Sequence, residues 1–143
     1  MRVLTYTLTA VLLTLMATFA QAEQKQRVGD WEVHYSAFNS TFLTPQIAAQ
    51  YDITRSEKRG LINIAILDAE TQKAVKALPK GYVSNPRGGV QSLEFKQIVE
   101  GDSVYYLASF LFGDEEVMKF TINIPNSKAP GEPLLFEQKF YQE

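Results

Sequence analysis

A period of two runs through most of this chain past residue 28, and it leaves little room for anything but sheet. Trp31, Val33 and Tyr35 alternate with Glu32, His34 and Ser36, so on a strand one set faces an interior and the other faces outward. Met118, Phe120, Ile122 and Ile124 alternate with Lys119, Thr121 and Asn123 in the same way. Gln91 to Ile98 repeats the pattern with Leu93 and Phe95 on one face. Val104 to Leu111 is rich in aromatics, and Leu134, Phe136, Gln138 and Phe140 close the chain. Leu61 to Leu67 is instead almost continuously apolar, as expected of a strand covered on both faces near a sheet centre. Val75, Ala77, Tyr82 and Val83 make a weaker strand region, broken by Pro79 and Gly81. Such a break suits an edge, a bulge or a change of sheet.

Turn chemistry separates these runs. Glu100-Gly101-Asp102 and Gly113-Asp114-Glu115 each join two strand patterns at hairpin-like spacing. Asn85-Pro86-Arg87-Gly88-Gly89 and Pro125 to Pro133 read as longer loops. One short helix is expected near residues 45–51: Thr44 can cap it, Pro45 suits its first position, and Ile47, Ala48 and Tyr51 share a face. The sum is an all-β fold, an antiparallel two-sheet sandwich of about seven strands with immunoglobulin-like architecture; a barrel is the alternative.

The first 22 residues read as a signal peptide. Met1-Arg2 is a short positive start, Val3 to Phe19 is apolar, and Ala20-Gln21-Ala22 fits a small-x-small cleavage site. An uncleaved anchor is the competing reading, since a bilayer takes roughly 20 apolar residues. Polar Glu23-Gln24-Lys25-Gln26 directly after Ala22 favours cleavage, leaving one domain over residues 23–143. No later segment is long and apolar enough to insert in a membrane. The chain has no cysteine, so an exported fold of this sequence rests on packing alone. The net charge is −2, and its interspersed charges form no basic stripe for nucleic acid.

Gly29-Asp30-Trp31-Glu32-Val33-His34-Tyr35, Phe38 to Pro45, Arg55-Ser56, Gly60 to Ile64, Tyr105-Tyr106 and the ending Phe136 to Tyr141 together resemble a family of small exported bacterial proteins. That family is catalogued as a domain of unknown function. The resemblance covers essentially the whole chain after the leader. It implies a periplasmic β-sandwich in a Gram-negative bacterium, and it carries over no catalytic residue.

Three side-chain groupings carry candidate chemistry. Asp30, Glu32 and His34 alternate on one strand face, but roots about 6.5–7 Å apart make a poor metal cage, and there is no second His. No metal or cofactor is expected. His34 beside Ser36 and Ser40 is the only hydrolase arrangement, without a visible orienting group or Gly-x-Ser-x-Gly elbow. The elbow before the helix is richer. Asn39, Ser40, Thr41 and Thr44 precede a helix start, with Arg55 and Arg59 downstream, which suits a small anion. The same side chains serve equally to cap the helix and tie down the crossover.

The leading functional expectation is a soluble periplasmic binding module for an envelope protein or peptide, docking on an unpaired strand edge near Val75 to Val83. The alternatives are a small-anion binder using the 39–45 elbow with Arg55 or Arg59, and a hydrolase built on His34.

Overall fold

Nine strands form among the residues that the computed structural model describes, 24–125 and 133–143. The expected leader and most of the Pro125 to Pro133 loop lie outside them. β1 (Gln24–Val28), β2 (Trp31–Asn39), β3 (Arg59–Asp68), β7 (Ser103–Leu111) and β6 (Lys96–Glu100) make one sheet in that spatial order. β5 (Val90–Leu93), β4 (Lys80–Ser84), β8 (Glu116–Asn123) and β9 (Pro133–Phe140) make the other. Every pairing is antiparallel. The two open sheets face each other as the expected sandwich, and no barrel closes.

The alternation sets which faces meet. Val33, Ile62, Ile64, Ile66, Tyr106, Ala108 and Phe110 project inward from the five-stranded sheet. Val83, Met118, Phe120, Ile122, Leu134 and Phe140 project inward from the four-stranded one. Burial of each such large side chain contributes roughly 1.5–3 kcal/mol. Trp31 and Tyr35 pack on this core as their alternation requires, with Glu32, His34 and Ser36 on the opposite face. Tyr105 and Tyr106 part in the same manner: Tyr106 is fully buried, and Tyr105 faces outward. β3 lies at the centre of its sheet, paired to β2 from Gly60 to Asp68 and to β7 from Arg59 to Ile64. Beyond Ile64 the segment around Ala74 takes over that side, with Val75 N donating to Ile66 O at 2.8 Å.

Three expectations change. Val75 to Val83 is not an edge: Val75 and Ala77 pack on the core outside any strand, and Tyr82 and Val83 belong to β4, which pairs with both β5 and β8. Pro79 is accommodated because it falls just before β4. Gly113-Asp114-Glu115 is no hairpin turn, since it carries the chain from β7 to β8 across the sandwich. Gln91 to Ile98 divides at Glu94-Phe95 into β5 and β6, one in each sheet. This division and the polar strand β1 raise the count above seven. Gly101 does make a tight hairpin, at φ 58° between β6 and β7, and Gly29 at φ 60° does the same between β1 and β2.

One connection departs from sandwich economy. β2 and β3 are antiparallel neighbours that a tight turn would join, yet residues 40–58 intervene. They form a single 3-10 turn (Ser40–Phe42) and α1 (Pro45–Gln50) and lie over the outer face of the five-stranded sheet. Loops of this length without strand pairing are uncommon in compact domains and concentrate where function sits.

Candidate functional site

The 40–58 insertion is held down by the polar side chains that its sequence singles out. Ser40 is fully buried; its hydroxyl donates to Ser56 O at 3.0 Å and accepts from Ser56 N at 2.9 Å. Thr44 caps α1 by accepting from Ile47 N at 3.2 Å. Asn39 Nδ2 donates to Tyr141 O at 2.7 Å, and Thr41 Oγ1 donates to Glu143 O at 3.2 Å. Arg55 Nη2 donates to Thr41 O at 3.1 Å. The structure therefore brings Asn39, Ser40, Thr41, Thr44 and Arg55 together at the elbow, and each bonds to the chain itself. Arg59 stands apart from them. It begins β3 and donates from Nη1 to Ser109 Oγ at 3.1 Å.

Pinned in this way, the insertion roofs a groove of about 200 Å³. Phe38, Asn63, Leu107, Tyr105 and Ile98 form its floor from the outer faces of β2, β3, β7 and β6. Leu43, Ile47 and Tyr51 close it from above. Ala48 is buried, whereas Ile47 remains 42% exposed at the groove mouth. The Tyr51 phenol donates to the Glu100 carboxylate, tying the end of α1 to β6. The lining is apolar except for Asn63 and Glu100, and no described residue bonds the Asn63 side-chain amide.

A second cavity of about 230 Å³ lies on the same sheet face, under the loop that follows α1. Its lining is polar and includes Arg59, Lys96, Asp52, Thr54, Glu94 and Ser109. Tyr51 and Leu107 line both cavities, so the two are neighbours across one wall.

His34 lines neither cavity. Its Nε2 lies 2.7 Å from Glu32 Oε1 on the outer face of β2. Among the described residues no group of three His, Cys, Asp or Glu side chains gathers as a metal site, and Asp30 sits in the β1–β2 turn, off the strand. The Ser40 hydroxyl is committed to Ser56. Among the described residues, no helix is long and apolar enough to cross a membrane.

Phe38, Asn63, Ile98 and Leu107 were not among the sequence candidates. Alternation does place Phe38 with His34 and Asn63 with Leu61 on the faces turned from the core. Three apolar residues, Phe38, Ile98 and Leu107, on the outward phase of separate strands were the available signal that something covers this face.

The fold and the covered sheet face define a class: an antiparallel β-sandwich whose β2–β3 connection is enlarged into a roof over one sheet. The chain belongs to the family described as a domain of unknown function, DUF4426, whose family model it matches over residues 25–143. A crystal structure of a DUF4426 family protein from Pseudomonas aeruginosa is 34% identical, with a TM-score of 0.74, covering 86% of this chain and 98% of that one. A copper-bound variant of FetP from a uropathogenic Escherichia coli strain shares 17% identity at a TM-score of 0.58, covering 85% and 97%. The as-isolated form of FetP, expressed in the periplasm, shares 16% at 0.51, covering 83% and 92%. The FetP likenesses are likenesses of fold. No curated protein matches the chain.

Proposed function

We propose that this protein is an exported periplasmic binding module that receives an extended peptide segment of an envelope protein, with one apolar side chain seated in the groove under α1. The groove itself carries the reading. Its volume of about 200 Å³ falls below the roughly 300–1,000 Å³ of small-molecule sites and suits a single large side chain. It opens beside β6, the last strand of its sheet, and Ile98 and Glu100 of β6 line it. No backbone hydrogen bond among the described residues satisfies the outer side of β6. A peptide strand added there gains ladder hydrogen bonds while an alternate side chain enters the groove. Asn63, whose amide both donates and accepts, is placed to meet a peptide group. Export rests on the leader pattern; osmotic-shock release of a chain beginning at Glu23 tests it by mass spectrometry.

The binding reading is tested with two short neutral peptides, alike except for Leu or Asp at the centre. The Leu peptide is expected to shift amide resonances of Ile47, Asn63, Ile98 and Leu107 and to slow exchange along β6. Ile47→Asp is expected to abolish the shifts with the thermal midpoint retained. Equal responses to both peptides, or shifts confined to the four-stranded sheet, overturn the reading.

A further inference from the structure

We propose that the polar cavity beside the groove is a carboxylate-binding site whose cations are Arg59 and Lys96. Two positive charges line one cavity, and neither makes an ion pair within it. Neither Arg59 nor Lys96 takes part in a side-chain ion pair among the described residues, unlike Arg87, which pairs with Glu116. Lys96 donates only to Tyr51 O, at 3.3 Å. Arg59 donates from Nη1 to Ser109 Oγ, and its Nε is buried without any hydrogen-bond partner.

A guanidinium N–H withdrawn from water and left unbonded is costly. Arg59 Nη2, which carries no hydrogen bond and is not buried, is the donor that a carboxylate meets first, and a small outward turn of the head brings Nε beside it into a two-bond fork. The β3–β7 ladder fixes the root of the side chain, where Arg59 pairs with Leu111, and the Ser109 hydrogen bond holds its head. Lys96, opposite Leu107 on β6, supplies the second charge from the far side of the same floor. Asp52 and Glu94 also line the cavity, with Glu94 Oε1 accepting from Ser92 Oγ at 3.4 Å. Two cations beside two carboxylates leave the lining without excess charge, so an anion here is held by directed hydrogen bonds from Arg59 and Lys96, which disfavours a multiply charged phosphate.

The site does not depend on the groove for its logic, yet the shared wall of Tyr51 and Leu107 joins them. Where both are used, the ligand class is the C-terminal residue of an apolar peptide, with its side chain in the groove and its carboxylate on Arg59 and Lys96. This extension rests on the peptide reading above; the carboxylate site does not.

Three probes separate the two claims on the isotopically labelled protein as purified from expressing cells: acetate, N-acetyl-leucinamide and N-acetyl-leucine. Acetate at millimolar concentration is expected to shift the amides of Arg59, Lys96 and Ser109 beyond any effect of chloride at equal ionic strength. N-acetyl-leucinamide reports on the groove alone. N-acetyl-leucine is expected to bind about tenfold more tightly than the amide, the gain of one charge-assisted hydrogen bond. Arg59→Gln and Lys96→Gln are each expected to remove the acetate response while leaving the amide's binding unchanged. Failure of acetate with the amide still binding overturns the carboxylate site and spares the groove. Failure of the amide with acetate still binding does the reverse. An acetate response that survives both substitutions, or that chloride reproduces, overturns the site.

Discussion

Gly60 sits where β3 passes beneath the ring of Phe110, its partner across the β3–β7 ladder. A Cβ built there falls 2.4 Å from Phe110 Cζ and 2.7 Å from Cε2. The ring is pinned in turn by Phe120 at 5.1 Å and Phe140 at 5.2 Å between centroids, both edge-on, so it has little room to retreat. Gly60→Ala is therefore expected to lower stability by about 1–3 kcal/mol, the range for overpacking a filled core. A urea titration reads it, and an unchanged midpoint would show that the ring moves freely. Tyr106 makes the second residue-scale case. Its phenol is buried, donates to Gln97 Oε1 at 3.1 Å and bonds the Ala77 backbone. Burial raises its pKa above the ordinary 10.0, and the Ala77 bond pulls partly the other way; burial raises Tyr35 as well. The unfolded chain then releases these protons first. Stability is fully present below pH 10 and falls as pH climbs through the folded values. The urea midpoint is expected to stay level as pH approaches 10 and to drop beyond it, with a shallower drop in Tyr106→Phe. An identical slope in that variant would remove Tyr106 from the account.

The 40–58 insertion is an element whose order depends on few contacts. Ser40 bonds Ser56 in both directions, closing the insertion into a loop, and Thr44 starts α1. A six-residue helix has no stability of its own, so these ties decide whether the roof exists. Ser40→Ala leaves two Ser56 backbone groups without that partner, at about 1–3 kcal/mol. Hydrogen exchange is expected to quicken across residues 44–56 and to change little within β3. Uniform quickening of both would mean that the roof and sheet open as one. This element also shows what local sequence can convey. Thr44-Pro45 announced α1, Gly101 announced a hairpin, and unbroken apolar residues announced β3, because each signal is answered by its own neighbours. β1 escaped notice because Gln24-Lys25-Gln26-Arg27 lies at an edge, where polar and charged residues protect against unwanted pairing. Gly113 and Gly101 carry the same turn chemistry, and only the partner strand tells a hairpin from a crossing between sheets. Pro79 and Gly81 suggested an edge, although Gly81 lies opposite Leu93 and Ile122 inside a sheet, where Thr121 O would stand 2.3 Å from a Cβ. The elbow residues were visible as a group because they are contiguous. The groove was not, because Phe38, Asn63, Ile98 and Leu107 come from four strands and meet only under the roof.

At the scale of the molecule, a chain without cysteine must couple its two sheets through packing and a few side-chain ties. Gln138 Nε2 donates to Ala37 O at 2.9 Å, tying β9 to β2. The Gln91 amide bonds both N and O of Leu111, tying β5 to β7. Between these seams the aromatic rings run continuously from sheet to sheet. Phe120 stacks on Phe136 at 4.5 Å and 9°, Phe136 meets Tyr35 at 4.5 Å, and Phe120 meets Phe110 at 5.1 Å. Tyr35 and Phe110 belong to the five-stranded sheet, Phe120 and Phe136 to the other. A cavity opened in one sheet must therefore weaken both. Phe120→Ala is expected to cost about 3–5 kcal/mol, a large share of the 5–15 kcal/mol that holds a typical domain. Trp31, the only tryptophan, reports from β2, in the sheet that does not contain Phe120. In urea its fluorescence midpoint is expected to fall together with the far-ultraviolet circular dichroism midpoint, with the two curves coincident in the variant as in the parent. Were the Trp31 transition to stay at the parent midpoint while the dichroism moved, the sheets would be separate cooperative units. The groove and the carboxylate cavity would then rest on the five-stranded sheet alone, and with coincident curves they draw on the stability of the whole sandwich.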